Sequence, residues 1–168
     1  MKLRLKKNHF PFSVEICRTT IINDSIIGNN AYIGPKCIIN SADIGSYTCI
    51  APGVQIGGME HSYWWYTINP QLSNQCISRK RTKIGHDVWI AANAIIKQGI
   101  TIGDGAVVGV GSFVNMDVPP FSVVVGIPSK VIKMRFDDEL ILRLNNSRYW
   151  VESPKKAKDI LIKLDESK

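Results

Sequence analysis

The chain has 168 residues, of which 45% are hydrophobic and 21% charged, and its 21 Lys+Arg against 14 Asp+Glu give a net charge of +7. That length suits one domain burying about 70% of its unfolded surface, and the composition excludes a disordered chain. No apolar run approaches the roughly 20 residues of a bilayer-spanning helix. The four cysteines, Cys17, Cys37, Cys49 and Cys76, lack CxxC spacing, which excludes a zinc finger and a disulfide-rich secreted fold. They are expected to be reduced thiols in a cytoplasmic protein.

In chain order, residues 1–10 are basic with no apolar stretch behind them, so no signal peptide is expected there. A short grammar then begins, an aliphatic residue followed by a small one: Ile27-Gly28, Ile33-Gly34, Ile44-Gly45, Ile50-Ala51 and Ile56-Gly57. One residue is missing between Ile33 and Ile44, which predicts a distorted corner. The grammar stops over residues 58–82 and resumes with an aliphatic residue at every sixth position: Ile84, Ile90, Ile96, Ile102, Val108 and Val114. Four places after each comes Val88, Ala94, Ile100, Ala106, Ser112 and Val118, mostly small or β-branched. The repeat fades after Pro119-Pro120 and ends near Phe136. A helix is predicted next, with Asp137-Asp138 ahead of an apolar stripe at Leu140, Ile141 and Leu144. A second helix is predicted from Ser153 as N-cap and Pro154 at its first position, with Ile160, Leu161 and Leu164 on the apolar side. These helices are expected to cap the open end of the repeat or to pack on a neighbouring chain.

A period of six fits neither a helix at 3.6 nor a strand at 2 over such a length. It fits a solenoid with flat faces and sharp corners, six residues to a face and three faces to a coil. The aliphatic residue points inward onto its copies in adjacent coils, and glycine or asparagine serves the corners. A β-sandwich would vary its turn lengths, and six hexads here run without a slip. Two units are expected: a solenoid over 1–136 carrying a loop at 58–82, and a helical extension over 137–168. A loop that long in a compact domain is usually functional.

The search for chemistry is short, because the chain has three histidines. His9 lies in the basic start and His86 at a predicted corner. His61 alone sits in the loop, followed by Ser62-Tyr63-Trp64-Trp65-Tyr66. An imidazole is suited to take a proton from a hydroxyl near neutral pH. A lone histidine is as often structural or solvated, and the long aromatic loop is what favours a site. Ser62 suggests no hydrolase: adjacent side chains rarely meet, and no G-x-S-x-G turn exists. Trp64, Trp65 and Tyr66 form either a platform for a sugar ring or a satellite core anchoring the loop. Trp89 falls at an outward place, where a subunit interface or acceptor pocket would cover it. Arg79-Lys80-Arg81 with Lys83 would steer an anion or form a solvated face.

Three passages carry a family resemblance: Ile84-Gly85-His86-Asp87-Val88-Trp89-Ile90-Ala91-Ala92-Asn93-Ala94, then Gly99-Ile100-Thr101-Ile102-Gly103-Asp104-Gly105-Ala106, and from Asp117-Val118-Pro119-Pro120 to Gly126-Ile127-Pro128-Ser129-Lys130-Val131-Ile132. With the hexads and the loop they resemble the xenobiotic acetyltransferase subgroup of the hexapeptide-repeat acyltransferases, which includes many glycan O-acetyltransferases. The resemblance implies a left-handed parallel β-helix, a homotrimer, and acetyl-CoA as co-substrate in the groove between solenoids. It implies that His61 is the general base, that Ala92, Val110 and Asn115 hold CoA with Lys130 and Lys133 near its phosphates, and that Trp89 lies close to the acceptor. Two positions depart from the family pattern: Asn115-Met116 stands where a Thr-Lys pair is common, and Ile127 replaces the usual asparagine before Pro128.

The expected function is therefore acetyl transfer to a sugar hydroxyl of a surface polysaccharide or its precursor, without a metal or an acyl-enzyme. The alternative within the same chemistry is acetylation of an antibiotic hydroxyl, and a noncatalytic binding solenoid is a remote one. A γ-type carbonic anhydrase would need an H-x4-H pair among three zinc histidines, and none is present. No recognition helix or RNP-like pattern accompanies the basic charge, so neither nucleic acid nor membrane insertion is expected.

Overall fold

The computed structural model describes residues 8–11, 13–75 and 78–166, so Cys76 and most of the basic start lie outside the described residues. The chain winds as a three-sided parallel β-helix. Face one is a seven-stranded sheet of Glu15–Ile16, Tyr32–Ile33, Cys49–Ile50, Trp89–Ile90, Val107–Val108, Ser122–Gly126 and Ser129–Met134. Face two stacks Ile21–Asn23, Ile38–Asn40, Gln55–Ile56, Ile95–Ile96 and Phe113–Val114. Face three stacks Ile26–Ile27, Ala42–Ile44, Thr82–Ile84 and Thr101–Ile102, with Val118 bridging Ile102. The predicted inward positions form the rungs: Ile33, Ile50, Ile90 and Val108 on face one, and Ile56, Ile96 and Val114 on face two, are fully buried, and Ile39, which the grammar did not mark, completes the face-two stack.

The six-residue period reappears in the backbone. Asp87, Asn93, Gly99, Gly105 and Gly111 all have positive φ, one at each successive corner. Those residue types reach the left-handed region at low cost. Gly45 serves a different need, since a Cβ there would run into the Gly85 carbonyl of the next coil. The missing residue between Ile33 and Ile44 has a simple outcome. Ser41 alone, at φ 49°, joins Ile38–Asn40 to Ala42–Ile44, and strands in these early coils pair 17 residues apart instead of 18.

The end of the repeat holds the first surprise. Residues beyond Pro120 do not unravel: Ser122–Gly126 continues face one in parallel, and Ser129–Met134 folds back on it antiparallel. Hexad counting does not see this hairpin, because a strand of period two replaces the period of six.

Helix α1 (Asp138–Ser147) starts at Asp137, whose carboxylate accepts from the Leu140 N–H at 2.8 Å. Helix α2 (Pro154–Glu166) follows a 3-10 turn at Tyr149–Val151. Both helices lie on their own solenoid. Leu144, Tyr149, Trp150 and Ala157 share an apolar cluster with Phe121, Tyr47 and Phe136. Tyr47 and Phe121 occupy corners with positive φ, costly for bulky side chains. Their rings seat the helices, and the Tyr47 hydroxyl donates to the Glu152 carbonyl at 2.6 Å. Asp137→Ala removes a helix cap and is expected to lower stability by about 1 kcal/mol, measured by denaturant unfolding.

Candidate active site

The loop leaves the solenoid after face two and returns at the start of face three. Its exit is Gly57-Gly58, at φ 72° and 126°. The His61 ring is fixed within the loop: its Nδ1 lies 2.8 Å from the Ile68 carbonyl oxygen. A carbonyl can only accept, so Nδ1 carries a proton and donates, which in the neutral ring leaves the lone pair on Nε2. The side chain is exposed. The ring is thus oriented by a backbone carbonyl, while the adjacent Glu60 carboxylate pairs with Lys97 at 3.1 Å. Ser62 is buried, and its hydroxyl donates to the Gln75 carbonyl at 3.4 Å.

The loop aromatics do not form a satellite core. Trp64 and Tyr66 are 64% and 96% exposed, and Trp65 is half-buried. Among the described residues their ring pairs run along the loop, Tyr63 edge-on to Trp64 and Trp65 tilted against Tyr66, each at 5.4 Å between ring centres. The returning arm is anchored by Arg81, whose Nη2 meets Asp43 at 2.6 Å and whose Nη1 lies 3.5 Å from Asp24. Arg81 is thus a structural tie and no part of an anion-steering face; the hydrogen bonds to Asp43 hold its pKa above the usual value.

Trp89 projects from face one, 53% exposed, into a cleft of about 520 Å³ lined by Tyr47, Cys49, Asp87, Val88, Val107 and Arg135 as well. Sequence reading passed over the polar end of this cleft. The Tyr149 hydroxyl donates to Asp87 Oδ2 at 2.6 Å, and Arg135 Nη1 lies 3.9 Å from the same oxygen while donating to the Gly105 carbonyl. Burial first, then the bond to Asp87, pushes the Tyr149 phenol far above its ordinary pKa, so it stays a donor. Arg135 also sits 4.8 Å over the Phe136 ring. It is a bonded, partly buried residue. His86 stacks on Trp150 at 5.5 Å and accepts from the Ser46 N–H through Nδ1, so it is structural. The Cys49 thiol is pushed up by burial and by the Asp87 charge, and is no activated nucleophile.

The residues aligned with CoA contacts separate into two places. Ala92 and Val110 stack at consecutive corners between faces one and two, where the Gly111 N–H donates to the Ala92 carbonyl at 2.9 Å. The tip of the final hairpin joins that edge through the bond from the Gly126 N–H to Ser112 Oγ, and Lys130 and Lys133 lie exposed on the returning strand. Asn115 falls elsewhere, exposed at the corner between faces two and three, below the root of the loop. Among the described residues, those lining the Trp89 cleft include neither His61 nor any other residue of the loop. Among the described residues, no group of three or more His, Cys, Asp or Glu is placed to hold a metal ion, and no helix is long and apolar enough to cross a membrane.

A coil of stacked hexads interrupted by one histidine-bearing loop defines a class of transferase, and comparison with known proteins agrees. The family model for bacterial transferase hexapeptide (six repeats) matches residues 24–58 and 81–115, the two stretches flanking the loop. The chloramphenicol acetyltransferase of Morganella morganii is 38% identical over 86% of this chain and 85% of its own length. That of Agrobacterium fabrum is 37% identical over 64% of this chain, which spans 58% of that relative's length. Among solved structures, a hexapeptide-repeat acetyltransferase of Vibrio cholerae complexed with acetyl-CoA superposes with a TM-score of 0.67 at 28% identity, covering 78% of this chain and 71% of that one. The chain belongs to the hexapeptide-repeat acyltransferase superfamily, and its solenoid is the left-handed parallel β-helix of that superfamily.

Proposed function

We propose that this chain transfers the acetyl group of acetyl-CoA to a hydroxyl of a small xenobiotic of the chloramphenicol kind, with His61 as general base. The observation that carries the chemistry is the imidazole held through Nδ1 by the Ile68 carbonyl. In that tautomer Nε2 takes the proton of the acceptor hydroxyl as its oxygen attacks the thioester carbonyl carbon. The tetrahedral adduct expels the CoA thiolate, which takes the proton from the imidazolium, and no acyl-enzyme intervenes. A thioester is already activated, so alignment and proton removal suffice. Acetyl-CoA is the co-substrate, and the edge built by Ala92, Val110 and the hairpin tip with Lys130 and Lys133 is the surface proposed to receive it, supported by the likeness to the acetyl-CoA complex. Asn115, one corner away on the same coil, would reach it only from the other side of face two.

The acceptor shifts from the sugar hydroxyl first expected to its alternative. One relative aligned over most of both chains is a chloramphenicol acetyltransferase, and a platform of Trp64, Trp65 and Tyr66 suits a nitrophenyl ring as well as a sugar face. The test is a screen of chloramphenicol, galactosides and nucleotide-sugars with acetyl-CoA, reading free thiol. The highest kcat/KM is expected on chloramphenicol, and a higher one on a sugar would overturn the acceptor assignment.

The assembly proposed is a homotrimer in which the loop of one protomer reaches the Trp89 cleft of the next. It is supported by the absence of loop residues from that cleft and by exposed apolar side chains on face two at Ile21, Ile38 and Ile95. Light scattering at micromolar concentration should give three times the chain mass; a monomer would contradict this assembly.

A further inference from the structure

We propose that the corner formed by Lys97, Gln98 and Gly99 is the clamp that sets where the catalytic loop stands, and that Lys97 and Glu60 are positioning residues for His61. The inference rests on the functional reading of His61 given above. The exit of the loop has no side chain of its own to guide it: Gly57 and Gly58 both have positive φ, and at Gly58 a side chain would meet nothing within 4 Å. Something beyond the backbone must choose the direction in which that hinge sends the chain.

The corner of the next coil, directly under Gly57, supplies it. The Gly57 N–H donates to the Ile96 carbonyl, which places Lys97 at the foot of the exit. Lys97 Nζ then reaches Glu60, the neighbour of His61, at 3.1 Å. The next residue, Gln98, is buried and accepts from the Lys80 backbone N–H on the returning arm at 3.3 Å. Gly99 follows at φ 75°, and a Cβ there would press on the Lys80 side chain at 2.8 Å. One corner therefore grips both arms of the loop. Among the described residues, the remaining side-chain bonds of residues 59–80 run within the loop itself, and Arg81 adds a tie to Asp43 and Asp24 only where the returning arm rejoins the coil.

The consequence is kinetic. General-base catalysis tolerates little displacement, and a shift of about 1 Å in a reacting group can cost on the order of 100-fold. An ion pair between half-exposed groups is also screened by salt. Lys97→Met is expected to lower kcat about tenfold while KM for acetyl-CoA changes less than about twofold. Chymotryptic cleavage at the exposed Tyr63, Trp64 and Tyr66 should accelerate in parallel, a readout that needs no turnover. Wild-type kcat should fall with added sodium chloride and that of K97M should not. The charge swap Glu60→Lys with Lys97→Glu should recover at least half of both losses.

Unchanged cleavage in K97M overturns the clamp. Faster cleavage with unchanged kcat overturns the positioning role, as does a swap that restores neither quantity. If the wild-type protein acetylates no acceptor, the reading of the site fails instead, and the cleavage rates alone decide the clamp.

Discussion

His61→Ala is expected to reduce kcat/KM for the acceptor by at least about a hundredfold while leaving the assembly and the dissociation constant for CoA unchanged. A lost general base typically costs 10²- to 10⁴-fold, and each factor of ten is about 1.4 kcal/mol of barrier. The loss should fall on transfer alone because, among the described residues, the ring makes one bond, from Nδ1 to the Ile68 carbonyl, and the residue is exposed. Removing it deletes a proton acceptor and opens no cavity in the solenoid. Steady-state kinetics by thiol release, with CoA binding by calorimetry, checks both halves. Near wild-type turnover in H61A would remove the proposed role, and lost CoA binding would show that the residue does something else.

Ile90→Ala tests the solenoid itself. Ile90 has no solvent exposure and is paired in register with Ile50 on one side and Val108 on the other. Its truncation leaves a void between two rungs whose backbones are fixed by parallel ladders, so the coil can collapse only partly. The expected cost is about 2–5 kcal/mol, measured from denaturant midpoints at unchanged slope. Lys83→Ala, at an outward place on face three, should change stability by less than about 0.5 kcal/mol. Equal losses at both positions would contradict the inward assignment of the hexad residues.

Much of the candidate site was visible in the same way as the core, by what broke the pattern. The loop announced itself because the six-residue beat stops at Gly58 and resumes at Thr82, and the family model matches on either side of that gap. His61 stood out as the one histidine in the gap. Its orientation did not, since the partner is a backbone carbonyl, and every residue type offers one. Lys97 and Gln98 read as ordinary corner residues until the fold put them beneath the loop.

By itself the sequence determined the three-sided coil, the inward rungs, the corners and both helices. Each of these rests on stacking between neighbouring coils or on capping within one turn, and such local repetition must be written into the chain as a period or an adjacent motif. Only the tertiary structure decided that the chain folds back at residues 129–134, that the helices lie on their own solenoid, and that Tyr149 bonds Asp87 across 62 positions of sequence. Those contacts join single polar or aromatic side chains far apart in the chain. One such pair needs no repetition and leaves no periodic trace, so its partners are known only once the coil has brought them together.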